Sequence, residues 1–193
     1  MTQTPVKLTF EQYLEYDDGT DNRYELFNGE LLEVPPESEL NGWMVECLQN
    51  EFAQFVKRRL VRVIPYELQV LGNPQNRFPD LVVLREEHIE LTKKRRTITL
   101  NMPPPQLVVE VVSPYRSQKD ENYKRDYIEK RQQYEQLGIL EYWIVDPQAQ
   151  LVTVLLLVNG KYQETEFTGN QRIVSRTFPE LKLTAAQVLR ATR

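Results

Sequence analysis

Two carboxylates stand where aliphatic side chains would be expected: Asp80, at the head of "FPDLVVLR" (78–85), and Glu110, inside "QLVVEVVSP" (106–114). Residues 107 to 112 are apolar on both sides of Glu110, so this stretch predicts a strand covered on both faces, which carries Glu110 toward the interior. An unpaired ionised carboxylate costs too much to bury and has to be neutralised by a raised pKa, a basic partner or a metal ion. Asp80 alone says less, because Pro-Asp is also a common turn at a strand start. On adjacent strands the two acids would form a hard-oxygen site suited to Mg2+. With a lysine nearby to orient or deprotonate water, such a site would suit phosphodiester hydrolysis, in which metal ions stabilise charge on the attacking and leaving oxygens.

The elements that must position these residues are legible from pattern. "LVRVIPYELQVLG", "FPDLVVL", "QLVVEVVSP" and "EYWIVDP" read as strands, with Pro103 to Pro105 marking a loop. Apolar spacing predicts a helix from about Asn41 to Leu60, entered after "PPES", and a second from Asp120 to Leu137, closed by Gly138. Asn28-Gly29 and Asn159-Gly160 predict two tight hairpins. Thr9 with Gln12, and Thr184 with Gln187, predict capping boxes for short terminal helices. "REEHIELTKKRRTITL" predicts a helical turn and a basic loop. Strands outnumber helices, so the expectation is a single α/β (α+β) domain over residues 1–193, built on a mixed central sheet flanked by helices with extra hairpins.

Composition narrows the chemistry. With 40% hydrophobic and 27% charged residues the chain can bury a core, and no window reaches the ~18 apolar residues of a membrane helix. The N-terminus lacks a secretory pattern, so the expected location is cytoplasmic. One cysteine, Cys47, excludes an internal disulfide, and one histidine, His88, excludes a multi-histidine metal site, so any metal ligands are oxygens. The net charge of -4 argues against coating nucleic acid by bulk electrostatics. Local basic patches do exist: residues 93–96, Lys57 to Arg62, and Lys119 to Arg131.

"FPD", then "VVEVVSP", then a basic helix and "GILEYWIVDP", resemble the PD-(D/E)XK nuclease superfamily, and most closely its Uma-two-type restriction endonuclease family, a bacterial domain of formerly unknown function. "RYELFNGEL", "PPES" and "SRTFPELKL" extend the resemblance over most of the chain. It implies a restriction-endonuclease-like core, a Mg2+ (or Mn2+) cofactor, DNA as substrate and a homodimer. Asp80 and Glu110 would be metal ligands, joined by the backbone carbonyl of Val111. Where the superfamily motif expects lysine, two residues after the acid, stands Val112. "RDYIEKRQQY" offers the lysine instead: Asp126, Lys130 and Tyr134 are spaced four apart on one helix face, and Lys130 is the expected catalytic residue. Lys124 is the rival, but six residues of α-helix turn the two about 120° apart.

Asn41 occupies a position where relatives often have histidine, and Glu46 is a candidate third carboxylate that reads more simply as a solvated helix residue. Asp146, His88 and Cys47 read as turn, polar-helix and core residues. Tyr123, Tyr127 and Tyr134 read as packing. The alternative to a nuclease is an inactive relative that binds nucleic acid or protein, with Glu110 and Lys130 as a buried ion pair.

Overall fold

The computed structural model describes residues 7–36, 38–63 and 65–190. Helix α1 (Phe10–Leu14) carries the expected Thr9/Gln12 cap. Strands β1 (Tyr24–Phe27) and β2 (Glu30–Glu33) form the first hairpin, whose Asn28 and Gly29 take φ of 52° and 85°, as a type I′ turn requires. Helix α2 (Glu39–Phe52) starts at Ser38, whose hydroxyl accepts from the Asn41 N–H. It ends at Phe52 rather than Leu60. Phe55 leans on Phe178 from the turn beyond, so aromatic spacing there imitates a helix that the backbone does not continue. A 3-10 turn (Arg58–Leu60) then leads into β3 (Val61–Arg62).

The run expected as one strand from Leu60 to Gly72 is two, in different sheets, with Pro65 between them unable to donate to a ladder. Its second part, β4 (Glu67–Gln69), joins β5 (Asn76–Arg77) in a small sheet. Strand β6 (Leu81–Val83), helix α3 (His88–Leu91) and β7 (Thr97–Ile98) follow, and β7 completes the small sheet beside β4. Strand β8 (Leu107–Val111) runs antiparallel to β6 and parallel to β9 (Glu141–Asp146). Parallel neighbours need a crossover. It is supplied by α4 (Glu121–Lys124), a π turn (Arg125–Glu129) and α5 (Lys130–Leu137), which closes on Gly138 at φ 77°. A hairpin of β10 (Leu151–Val158) and β11 (Lys161–Thr168) and the capped helix α6 (Ala185–Leu189) end the described chain.

The main sheet is mixed, in the order β11-β10-β9-β8-β6-β3. One face packs on α2 and α6 through Leu107, Val109, Val111, Phe52 and Trp143. The other packs Val108 and Val112 with Tyr134 and Tyr142 under α5. Alternation along β8 therefore puts Glu110 on the α5 side. No helix among the described residues is long and apolar enough to cross a membrane.

Candidate active site

In the β6/β8 ladder Leu81 faces Val109, so one step further Asp80 faces Glu110. Directly opposed residues of an antiparallel pair share a face with Cβ atoms about 5 Å apart. Asp80 is half-buried at this sheet end, and its Oδ2 accepts the Val111 N–H at 2.6 Å. Glu110 is 1% exposed and is met from above by α5. Lys130 Nζ donates to its Oε2 at 2.7 Å and the Tyr134 hydroxyl to its Oε1 at 2.6 Å. Lys130 also contacts Asp126 Oδ1 at 3.0 Å, so the three helix residues spaced by four all converge on one site. Lys124 lies on the solvent face.

The helix that carries them is not a plain α-helix. The Lys130 N–H bonds the Arg125 carbonyl, five residues back, which leaves the Asp126 carbonyl without its ordinary helical donor. The Tyr142 hydroxyl, rising from β9, donates to that carbonyl at 3.0 Å. A buried tyrosine of the sheet thus satisfies the group that the π turn orphans.

Charge explains the buried cluster. Burial raises the Glu110 carboxyl above the ordinary range, and Asp126 adds to the effect, while Lys130 and Tyr134 act against it. Burial works to raise Asp126 too, but Lys130 and Arg125 outweigh it and hold its carboxyl low. Burial would lower the Lys130 ammonium, yet Asp126, Glu110 and Asp80 outweigh that and keep it charged. Burial and the Glu110 charge drive the Tyr134 hydroxyl far up, so it acts as a donor.

Asp80, Val111, Lys130, Arg125, Ser113 and Asn41 line a common cavity of about 390 Å³, overhung by β2 and the "VPP" segment. Asp80 and Val111 stand at its wall with Glu110 buried directly behind them, oxygen donors of the kind a hard cation that keeps several waters, such as Mg2+, takes. Among the described residues no group of three or more His, Cys, Asp or Glu side chains forms a fuller cage. Glu46 is exposed and faces a second cavity of about 210 Å³, which shares Asp80 and Asn41 with the first.

Asp146 accepts from Tyr115, Tyr127 and the Ala149 N–H, and so fastens the α4 region to the end of β9. Tyr123 stacks on Tyr127 at 4.4 Å. His88 is buried between the Arg85 N–H and the Pro103 carbonyl. Sequence reasoning assigned no role to Arg125 or to the Arg77 cluster. Arg77 is 2% exposed, bonded to Gln133, Glu25 and Glu129, and ties β5 to α5 and β1.

A mixed sheet with opposed strand carboxylates and a lysine from the crossover helix defines a nuclease-like protein of restriction-endonuclease-like fold. The comparisons agree. Residues 10–186 match the family model Uma2, described as "putative restriction endonuclease", and the chain belongs to that family. The structure is similar to a crystal structure from Anabaena variabilis ATCC 29413, described as a "putative nuclease belonging to DUF820". The TM-score is 0.66 at 16% identity, over 95% of this chain and 98% of that one, a likeness of fold. No curated protein matches the chain.

Proposed function

We propose that this protein is a Mg2+-dependent endonuclease that hydrolyses DNA phosphodiester bonds and also accepts Mn2+. The observation that carries the reading is the meeting of Asp80, Glu110 and Lys130 at one sheet end, with Asp80 and Lys130 on the wall of the 390 Å³ cavity and Glu110 buried behind them. Asp80, Glu110 and the Val111 carbonyl would hold the ion, which when bound supplies Lewis-acid stabilisation of phosphate charge. Lys130 donates hydrogen bonds: it orients the attacking water and offsets charge developing on the phosphate. Tyr134 fixes the second oxygen of Glu110, so that the carboxylate is held from both sides.

One observation favours a second reading, a folded relative that binds without cutting: the Lys130 ammonium already contacts Glu110 directly. The cavity beside Asp80 and Lys130 favours the nuclease. The test is cleavage of supercoiled plasmid and single-stranded DNA with Mg2+ or Mn2+, beside Asp80→Ala and Lys130→Ala. Metal-dependent cutting lost in both variants supports the assignment. Loss with Lys124→Ala instead moves the lysine, and a wild type that neither cuts nor binds Mn2+ by calorimetry leaves the binding module.

A further inference from the structure

The nuclease reading leaves Arg125 and Asp126 at the site without a task. Asp126 is 1% exposed and shared between two cations. Lys130 approaches one oxygen at 3.0 Å, while the Arg125 guanidinium spans both through Nε and Nη2, each at 2.9 Å. Lys130 is shared with Glu110, so Arg125 is the cation that Asp126 has to itself.

That second cation is oriented from three sides. Besides Asp126, Arg125 donates from Nη2 to Ser113 Oγ at 3.0 Å and from Nη1 to Asn122 Oδ1 at 3.2 Å. These contacts use four of its five N–H groups. The side chain still remains 34% exposed, at the wall of the cavity that also holds Asp80, Ser113 and Lys130. The one unused N–H, on Nη1, belongs to a charged group fixed beside a second cation, and can donate a charge-assisted bond to one phosphate oxygen. The π turn points the same way. It begins at Arg125, Tyr142 satisfies the carbonyl it strands, and such turns are frequent at functional sites.

Resting on the nuclease reading above, we infer that Arg125 grips a backbone phosphate of the bound DNA strand and that Asp126 is its positioning carboxylate. Lys130 and Arg125 then form a two-cation wall, set by one buried acid, along which the strand lies next to the proposed metal.

The test is binding of a fluorescein-labelled duplex, read by anisotropy between roughly 50 and 200 mM salt, with Ca2+ supplied as a cation for the same oxygen donors. Arg125→Gln keeps the Asp126–Lys130 contact and should fold normally. It is expected to weaken binding equally across sequences and to lower the slope of log K on log salt by about 0.9. Arg125→Lys is expected to bind less tightly than wild type with the slope unchanged. Asp126→Asn is expected to raise KM for cleavage more than it lowers kcat. A wild type that binds DNA while Arg125→Gln matches it in affinity and slope overturns this assignment alone. A wild type that neither binds nor cuts overturns the nuclease reading and this one with it.

Discussion

Replacing Lys130 with Met removes a charge at nearly constant volume and therefore tests whether the cluster is a buried electrostatic unit. The Lys130 side chain is 10% exposed and contacts carboxylates at 2.7 and 3.0 Å that are each 1% exposed. Removing one partner of a buried pair typically costs about 3–5 kcal/mol, because the remaining charge is left unmatched in a poor solvent. Two features limit the loss. Burial already favours the protonated form of Glu110, and Asp126 keeps Arg125. The expected cost is therefore at the lower end, about 3 kcal/mol, or roughly 6–12 °C in Tm for a chain of this length. Adding Glu110→Gln to Lys130→Met should recover much of it, since a neutral amide no longer needs the ammonium. Urea denaturation at pH 7 with far-UV circular dichroism measures the wild type, both single variants and the double. A loss below about 1 kcal/mol would mean that the pair is effectively solvated. A double variant weaker than the sum of the singles would refute the charge argument itself.

Tyr134→Phe strips Glu110 of the donor to Oε1 and should cost about 1–3 kcal/mol by urea titration while slowing cleavage, and an unaltered midpoint would show that Glu110 does not need it. His88 gives a clean pH signal as the chain's one histidine. Burial lowers its pKa, outweighing the Pro103 contact. The unfolded chain therefore takes up a proton first, and stability should be full above about pH 6.5 and fall as the pH drops below it. NMR of the ring proton checks this, and titration at the ordinary histidine value would contradict it. Gly138 takes φ 77° with open space around it, so Gly138→Ala should cost about 1–2 kcal/mol from backbone strain alone. Gly42→Ala, inside α2 and equally unobstructed, should instead gain about 0.5–1 kcal/mol. DNA affinity should be higher in Ca2+ than in EDTA, a gain that Asp80→Asn should abolish in the anisotropy assay.

What could be read from the chain was whatever violates its surroundings. Glu110 among valines announces itself because a charge in a covered strand needs a partner, whereas the family resemblance singles out Lys130, helix spacing adding only that it shares a face with Asp126 and Tyr134. The hairpins and both capping boxes were legible because φ > 0 and orphan N–H groups demand particular residues. The small sheet was not, since β5 and β7 are two residues long and leave no periodicity. The π turn was invisible for a different reason: it depends on Tyr142, 16 positions from Asp126 and on another element. The same holds for Arg77, a dipeptide residue in "NR" whose partners are Gln133 on α5 and Glu129 in the π turn.

Under the proposed function, the charge count at the site links the cation to the anion. Of the groups inside the site, Asp80, Glu110 and Asp126 face Lys130 and Arg125, three acids against two bases, while at the rim Glu25 is matched by Arg77 at 3.1 Å and Glu33 is exposed to solvent. With all five groups ionised the cluster is one negative charge in excess, and it should repel a phosphate until that excess is removed. A proton on Glu110 brings it only to neutrality, which leaves little attraction for DNA. A divalent cation carries it to a single positive charge, the complement of one phosphodiester. On the proposed function, the buried acids would make anion binding conditional on the metal.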